Sequence, residues 1–207
     1  MDTTLGACSA AVLDGEQVLA SGSEPMQRGH QERLAPLVAE IMLAAGVAFS
    51  ALDRIGVTVG PGSFTGLRVG LAFAKGLALA LEIPCIGVGA LEALAAGLAP
   101  QGLLVAAVDA GRGQVYLQFF DEGAALGPPE VAAVEAAPRR IRDLTRDRPF
   151  MLVGSAALLA EQLPEARVVA LAAPDPASVA RLAAAAPDPG LSPRPLYLRP
   201  PDARIPA

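Results

Sequence analysis

The residues most able to do chemistry lie in the stretch Gly60-Pro61-Gly62-Ser63-Phe64-Thr65-Gly66-Leu67-Arg68-Val69-Gly70. Glycines, a proline and two hydroxyls stand between an apolar run, Ile55 to Val59, and a long Ala/Leu/Gly segment. That is the pattern of a strand, a glycine-rich turn and a helix start, which can cradle a phosphate on the helix N-terminus. Three chemistries use glycine-rich turns, each with its own spacing. A Walker A loop needs four residues between its glycines, then Lys and Ser/Thr; here Gly62 and Gly66 have three between them, Gly60 and Gly66 have five, and Leu67-Arg68 follow. A dinucleotide fingerprint starts correctly at Gly60 and Gly62 but has its third glycine one residue late. A nucleophile elbow needs a glycine two residues after the serine, and Ser63 is followed by Phe64 and Thr65. Close helix–strand packing, with Ser63 or Thr65 capping the helix, accounts for the same residues. Contact of Gly62, Ser63 and Thr65 with a nucleotide, shared with a partner, is the alternative.

Other reactive side chains are sparse. His30 is the single histidine, so no two-histidine metal site exists; a Ser63–His30 pair would lack an obvious orienting acid. Cys8 and Cys85 form no CxxC, and a reducing compartment is expected. Asp2 and Asp109 each stand at a strand end, where a carboxylate could hold a Mg-phosphate, but Arg112 stands beside the second. No catalytic residue and no metal site are expected. The net charge of −5 argues against a nucleic-acid groove built by this chain alone. Arg139, Arg140, Arg142, Arg146 and Arg148 alternate with Asp143 and Asp147, as on a solvated helix face. The chain opens without a basic, then apolar, leader pattern. Residues 66–98 are interrupted by Arg68, Lys75, Glu82 and Glu92, so no membrane span and a cytoplasmic location are expected.

The elements that must position these groups alternate strand and helix. A hairpin is expected over 7–13 and 17–20, helices over 32–45, 65–81, 90–97, 138–146, 155–163 and 176–186, and strands over 54–59, 85–88, 103–108, 114–120, 150–153 and 167–171. The proline-rich tail from Pro187 reads as extended. An internal repeat organises them. Asp2, Gly6 and Asp14 recur at one offset as Asp109, Gly113 and Asp121, and each half continues into a strand–Gly–Ser–helix unit. The expected fold is therefore α/β with two related lobes, 1–98 and 99–207, as in the actin-like (ribonuclease H-like) superfold. Strand 103–108 precedes Asp109, whereas only Met1 precedes Asp2, so either a shortened strand in the first lobe or a start internal to the gene product is expected.

Two helices are too apolar to be covered on one side. Leu34, Leu37, Val38, Ile41 and Met42 in the first, and the row Gly66, Gly70, Ala74, Ala78 in the second, suggest contact with another subunit, with a deep core inside the domain as the alternative. Arg68 and Lys75 recur seven apart and align on one edge, where they could meet acidic groups of a partner.

"DTTLGACSAAVLDG", "GHQERLAPLV", "VTVGPGSFTGLRVGLAFAKGLA" and "PLYLRPPDA" resemble the TsaB (YeaZ) family over nearly the whole chain. The resemblance implies an actin-like fold without its own catalysis, serving synthesis of threonylcarbamoyladenosine beside the tRNA anticodon. It implies pairing with the catalytic homologue TsaD and a TsaE-type ATPase, tRNA contact only through that complex, and self-association when alone. It implies no cofactor on the isolated chain, with ATP or ADP at the joint surface as the open question. Segment 122–186 matches the family loosely. A self-contained ATP-dependent kinase or ATPase is the runner-up, and a glycoprotease-like hydrolase is a third reading without ligands to carry it.

Overall fold

A computed structural model describes residues 1–98, 102–146, 148–155, 157–187 and 192–199. β1 (Ala7–Asp14) and β2 (Gln17–Pro25) form an antiparallel hairpin. Helix α1 (His30–Ala45) follows, bounded by Gly29 and Gly46, both in the left-handed region at φ 91° and 66°. β3 (Ile55–Gly60) runs parallel to β4 (Cys85–Gly89), joined by α2 (Phe64–Leu81). After α3 (Ala90–Ala96) comes the second sheet. β5 (Leu103–Gly111) pairs antiparallel with β6 (Gln114–Asp121), which carries β7 (Ala124–Ala125) and β8 (Glu130–Ala133) on its other edge. Then follow α4 (Ala137–Thr145), β9 (Phe150–Gly154), α5 (Ala157–Ala160), β10 (Arg167–Ala170) and α6 (Pro176–Ala185).

The second sheet has the order β8-β6-β5-β9-β10, antiparallel across β6 and parallel from β5 to β10. The first lobe repeats it. The Met1 ammonium donates to Gly56 O at 2.9 Å, and Thr58 N donates to Met1 O at 3.2 Å. Asp2 and Ser9 exchange both backbone bonds at 2.9 Å. Residues 1 and 2 thus bridge β1 and β3, giving β2-β1-(1–2)-β3-β4. The duplicated, two-lobed α/β actin-like fold expected from the repeat is the fold observed. Met1 and Asp2 occupy in the first lobe the place that β5 takes in the second. A cavity of about 770 Å³ beside Met1 separates Ala10–Gly15 from Asp53–Gly56.

Two helices fill the space between the sheets. Leu91 and Leu94 of α3 are buried with Leu104, Tyr116, Phe120 and Val153 of the second sheet. Val179 and Ala183 of α6 are buried with Ile86 and Val88 of the first sheet and with Ala93 of α3. Gly56 approaches α6 so closely that a Cβ there would lie 2.5 Å from the Ala183 Cβ. Arg54 closes the end of α6 by donating to Ala183 O at 2.9 Å and Ala186 O at 2.5 Å. The expected division after residue 98 is therefore one of chain order, because α6 from the second half packs on the first sheet. Residues 99–101, at that division, lie outside the described residues.

Most elements match their expected spans within two residues. The hairpin's second strand is longer, running to Pro25. The helix expected over 155–163 is observed only as Ala157–Ala160. β7 and β8 were not expected; their short, Ala-rich sequence carries no strand period, and pairing with β6 imposes the extended form. The tail forms no helix or strand over 192–197 and bends at 198–199, and its other parts, 188–191 and 200–207, lie outside the described residues.

Candidate functional site: the interlobe cleft and the outer face of α1 and α2

A cleft of about 1050 Å³ opens between the lobes. Its walls include Thr4, Gly6, His30, Gly62, Ser63 and Phe64 from the first lobe, and Asp109–Gly111, Tyr116 and Ser155 from the second. The glycine-rich turn forms one rim. A Cβ at Gly62 would lie 2.3 Å from Thr4 O, and one at Gly66 1.9 Å from Thr3 O. Ser63 N donates to Thr4 O at 2.7 Å, and Thr3 Oγ1 donates to Gly66 O at 2.7 Å. Ser63 Oγ accepts from Gly66 N at 3.2 Å and is the helix cap. These glycines let the backbone of residues 3–4 lie against α2, so the turn has a packing role that its sequence alone left open. Gly62 and Ser63 also line the cleft, while Thr65 is exposed and does not.

The two strand-end carboxylates differ. Asp2 is fully buried, and its Oδ1 accepts from Thr4 N at 3.0 Å, Thr4 Oγ1 at 2.6 Å and Thr58 Oγ1 at 2.6 Å. Asp109 is exposed on the cleft wall, and its Oδ1 accepts from Gly111 N at 2.7 Å. The sequence symmetry of this pair does not carry over to their surroundings. His30 is the first residue of α1 and is buried, with no hydrogen bond to Ser63; its Nε2 has no partner among the described residues. Sequence spacing had left it in the loop before the helix, because no side-chain cap marks the start at Gly29.

The expected partner-interface residues are divided by the fold. Leu34, Leu37, Val38, Ile41 and Met42 are buried with Cys8, Ala10 and Val12 of β1. Gly70 faces Thr3 and Val57, and Ala74 and Ala78 are buried against Ile55 and Val57. These side chains are inside the chain, so in this conformation they are not free to form a surface contact. The small-residue row serves helix-to-strand approach instead. Arg68 is exposed and Lys75 half-buried. The outward faces carry other apolar residues: Ala35, Pro36, Ala39 and Leu43 on α1, and Ala72, Gly76 and Leu79 on α2. Leu43 is 84% exposed and Leu79 81% exposed, each in the last turn of its helix. The two helices adjoin through Val69 and Phe73, which pack on the α1 cluster. Sequence periodicity found both apolar stripes on these helices but could not tell which one the sheet covers. By length and composition α2 could cross a membrane; here one of its faces is packed on β3.

Electrostatics adds little at either surface. Arg33 joins Glu24 and Glu40 at 2.5 and 2.6 Å, and its guanidinium holds both carboxyls below their ordinary range. Burial pushes the Cys8 thiol up to about 11 and raises that of Cys85. Among the described residues no three His, Cys, Asp or Glu side chains gather as a metal site.

A family model described as TsaD, tRNA N6-adenosine threonylcarbamoyltransferase, matches residues 22–137. The tRNA threonylcarbamoyladenosine biosynthesis protein TsaB of Escherichia coli is 38% identical over 119 residues, 56% of this chain and 51% of that protein. Its Bacillus subtilis namesake is 37% identical over 121 residues, 58% of this chain and 53% of its own. The chain thus matches about half the length of these curated relatives. The crystal structure of YeaZ from Pseudomonas aeruginosa superposes with a TM-score of 0.82 at 29% identity, covering 95% of this chain and 97% of that one. The chain belongs to the TsaB/YeaZ family.

Proposed function

We propose that this member of the TsaB/YeaZ family is a non-catalytic subunit in threonylcarbamoyladenosine synthesis on tRNA, pairing with a catalytic TsaD homologue through the outer face of α1 and α2. The observation that carries the reading is the exposed pair Leu43 and Leu79 on adjoining helices. Burying a leucine is worth about 1.5–3 kcal/mol, so the two together offer a substantial part of an association energy while costing solubility when uncovered. The inward-turned Asp2 supports the absence of catalysis, because the carboxylate that would hold a Mg-phosphate is engaged by hydroxyls. The same face would join two copies when the partner is absent. A TsaE-type ATPase would join the assembled pair, tRNA would be reached only through the complex, and any ATP or ADP would sit at the joint surface. Such work belongs in the cytoplasm.

The test is co-purification with the TsaD homologue of the same organism. Leu79→Glu places a charge where burial is needed and should weaken the pair at least about 30-fold, without changing the melting temperature. Arg68→Ala with Lys75→Ala should lower association mainly at low salt, as rim charges do. Full affinity of Leu79→Glu would refute the interface, and saturable ATP hydrolysis by the pure chain, lost in Asp109→Ala, would refute the non-catalytic role.

A further inference from the structure

Residues 196–199 line the interlobe cleft, and the segment passes from the first lobe, met by residues 193–197, to the second, met by 198 and 199. Pro193 lies against Gly87, where an added Cβ would come within 2.9 Å of the proline Cβ. Leu196 N donates to Val59 O at 2.8 Å. The Tyr197 ring lies 4.9 Å from that of Phe64, and its hydroxyl accepts from Arg68 Nε at 3.4 Å. The Arg68 guanidinium sits 3.8 Å over the Phe64 ring. On the other side, Leu198 packs on the cluster that joins Leu91 of α3 to Leu104 and Tyr116 of the second sheet. Arg199 Nη1 donates to Ala110 O and, at 3.4 Å, to Gly111 O. Ala110 and Gly111 belong to the turn that carries Asp109 into the cleft.

We propose that residues 193–199 are a strap that couples the outer edge of α2, at Phe64 and Arg68, to the Asp109–Gly111 turn of the second lobe. The segment forms no helix or strand, and Tyr197 and Arg199, which reach the two lobes, stand only two residues apart. Loosening one end therefore frees the other. The Arg68–Tyr197 bond is at the long limit of a hydrogen bond. A carboxylate offered to Arg68 makes a shorter, charge-assisted bond and wins that competition. An acidic partner at the α2 edge would thus release Tyr197, loosen Arg199 and widen the cleft. The coupling is a property of the isolated chain; only the identity of what pulls on Arg68 rests on the pairing proposed above.

The chain contains no tryptophan, so Tyr197→Trp introduces a single fluorophore on the strap. In the full chain carrying that reporter, Arg199→Ala should raise acrylamide quenching about two-fold, as a segment detaches locally. In the unaltered Tyr197 background, Arg68→Ala should speed hydrogen exchange of a peptide spanning 107–115 several-fold. Circular dichroism melts of each variant, expected to match the parent, separate local release from unfolding. Quenching that ignores Arg199→Ala, or exchange that ignores Arg68→Ala, would show that the two ends act independently and would overturn the coupling. Failure of the TsaD homologue to bind would leave both readouts intact and would count against the pairing alone.

Discussion

Replacing Gly66 by alanine tests whether the glycine-rich turn exists for packing. The added Cβ would sit 1.9 Å from Thr3 O, so the two must part by about 1.5 Å to reach ordinary contact. The obstacle is backbone, and it is held in place. Thr3 Oγ1 donates to Gly66 O at 2.7 Å, Ser63 N donates to Thr4 O at 2.7 Å, and Asp2 Oδ1 ties Thr4 from behind. Overpacking of this kind costs about 1–3 kcal/mol, and loss of the Thr3 bond adds about 1 kcal/mol. Alanine returns about 0.5–1 kcal/mol in helix propensity. The net destabilisation is about 3 kcal/mol at the upper end, which for a chain of this size lowers Tm by about 6–12 °C. Gly76 is the control on the same helix: nothing lies within 4 Å of its added Cβ. Gly76→Ala should therefore be neutral or stabilising by up to about 1 kcal/mol. Urea unfolding followed by circular dichroism gives both values. If Gly66→Ala matches the wild type while Gly76→Ala behaves as expected, the residue 3–4 turn moves freely. The packing account of the glycines would then fail, and the phosphate-loop reading would regain its force.

Ala74→Arg puts a long cation at a fully buried site and should abolish cooperative unfolding on a thermal scan, whereas Leu79→Glu should melt with the wild type; the opposite ranking would exchange the inner and outer faces of α2. Thr58→Val removes one bond to the buried Asp2 carboxylate and should cost about 1.5–3 kcal/mol in urea titration, while Asp109→Ala, on an exposed residue, should stay within about 0.5 kcal/mol. The Cys8 thiol, raised from 9.0 to about 11 by burial, should react with iodoacetamide about 100-fold more slowly than an ordinary thiol at pH 8. Its folded value lies above its unfolded one, so the associated stability is present below pH 9 and lost as pH rises toward 11; unchanged urea midpoints across that window, with Cys8→Ala as reference, would contradict it.

The repeat made the two lobes legible, because Asp2/Asp109 and Gly6/Gly113 mark the same turn in each sheet. The long periodic helices α1 and α2 were legible for the same reason that they are stable: each has apolar residues at helical spacing. What the one-dimensional pattern could not supply is which stripe faces inward. In α2 the small residues Gly66, Gly70, Ala74 and Ala78 are inside because Thr3 and Val57 come close to the axis, and Leu79 is left outside. β8 was not legible, because Glu130–Ala133 is extended through its partner β6 rather than through its own propensity. Nor was the crossing of α6 onto the first sheet, which depends on the fit of Ala183 against Gly56.

The difference between Asp2 and Asp109 bears on what the cleft can do. Both terminate a central strand position, and a duplicated fold would place both carboxylates toward whatever lies between the lobes. Around Asp2 the first lobe supplies Thr4 and Thr58, whose hydroxyls donate to one oxygen at 2.6 Å each. Around Asp109 the second lobe supplies, among the described residues, the local Gly111 N–H, and the side chain stays in contact with solvent. Turning Asp2 into the cleft would break three hydrogen bonds to a charged acceptor, each worth about 1.5–3 kcal/mol, and would leave the threonine hydroxyls buried without partners. A bound cation would have to offset that whole sum before it gained anything from the carboxylate. The energetic balance therefore favours Asp2 as the knot tying residues 1–4 to β3, with the glycine turn pressed over it. Among the described residues that line the cleft, Asp109 is then the strand-end carboxylate left facing it, while Asp2 is spent inside the first lobe.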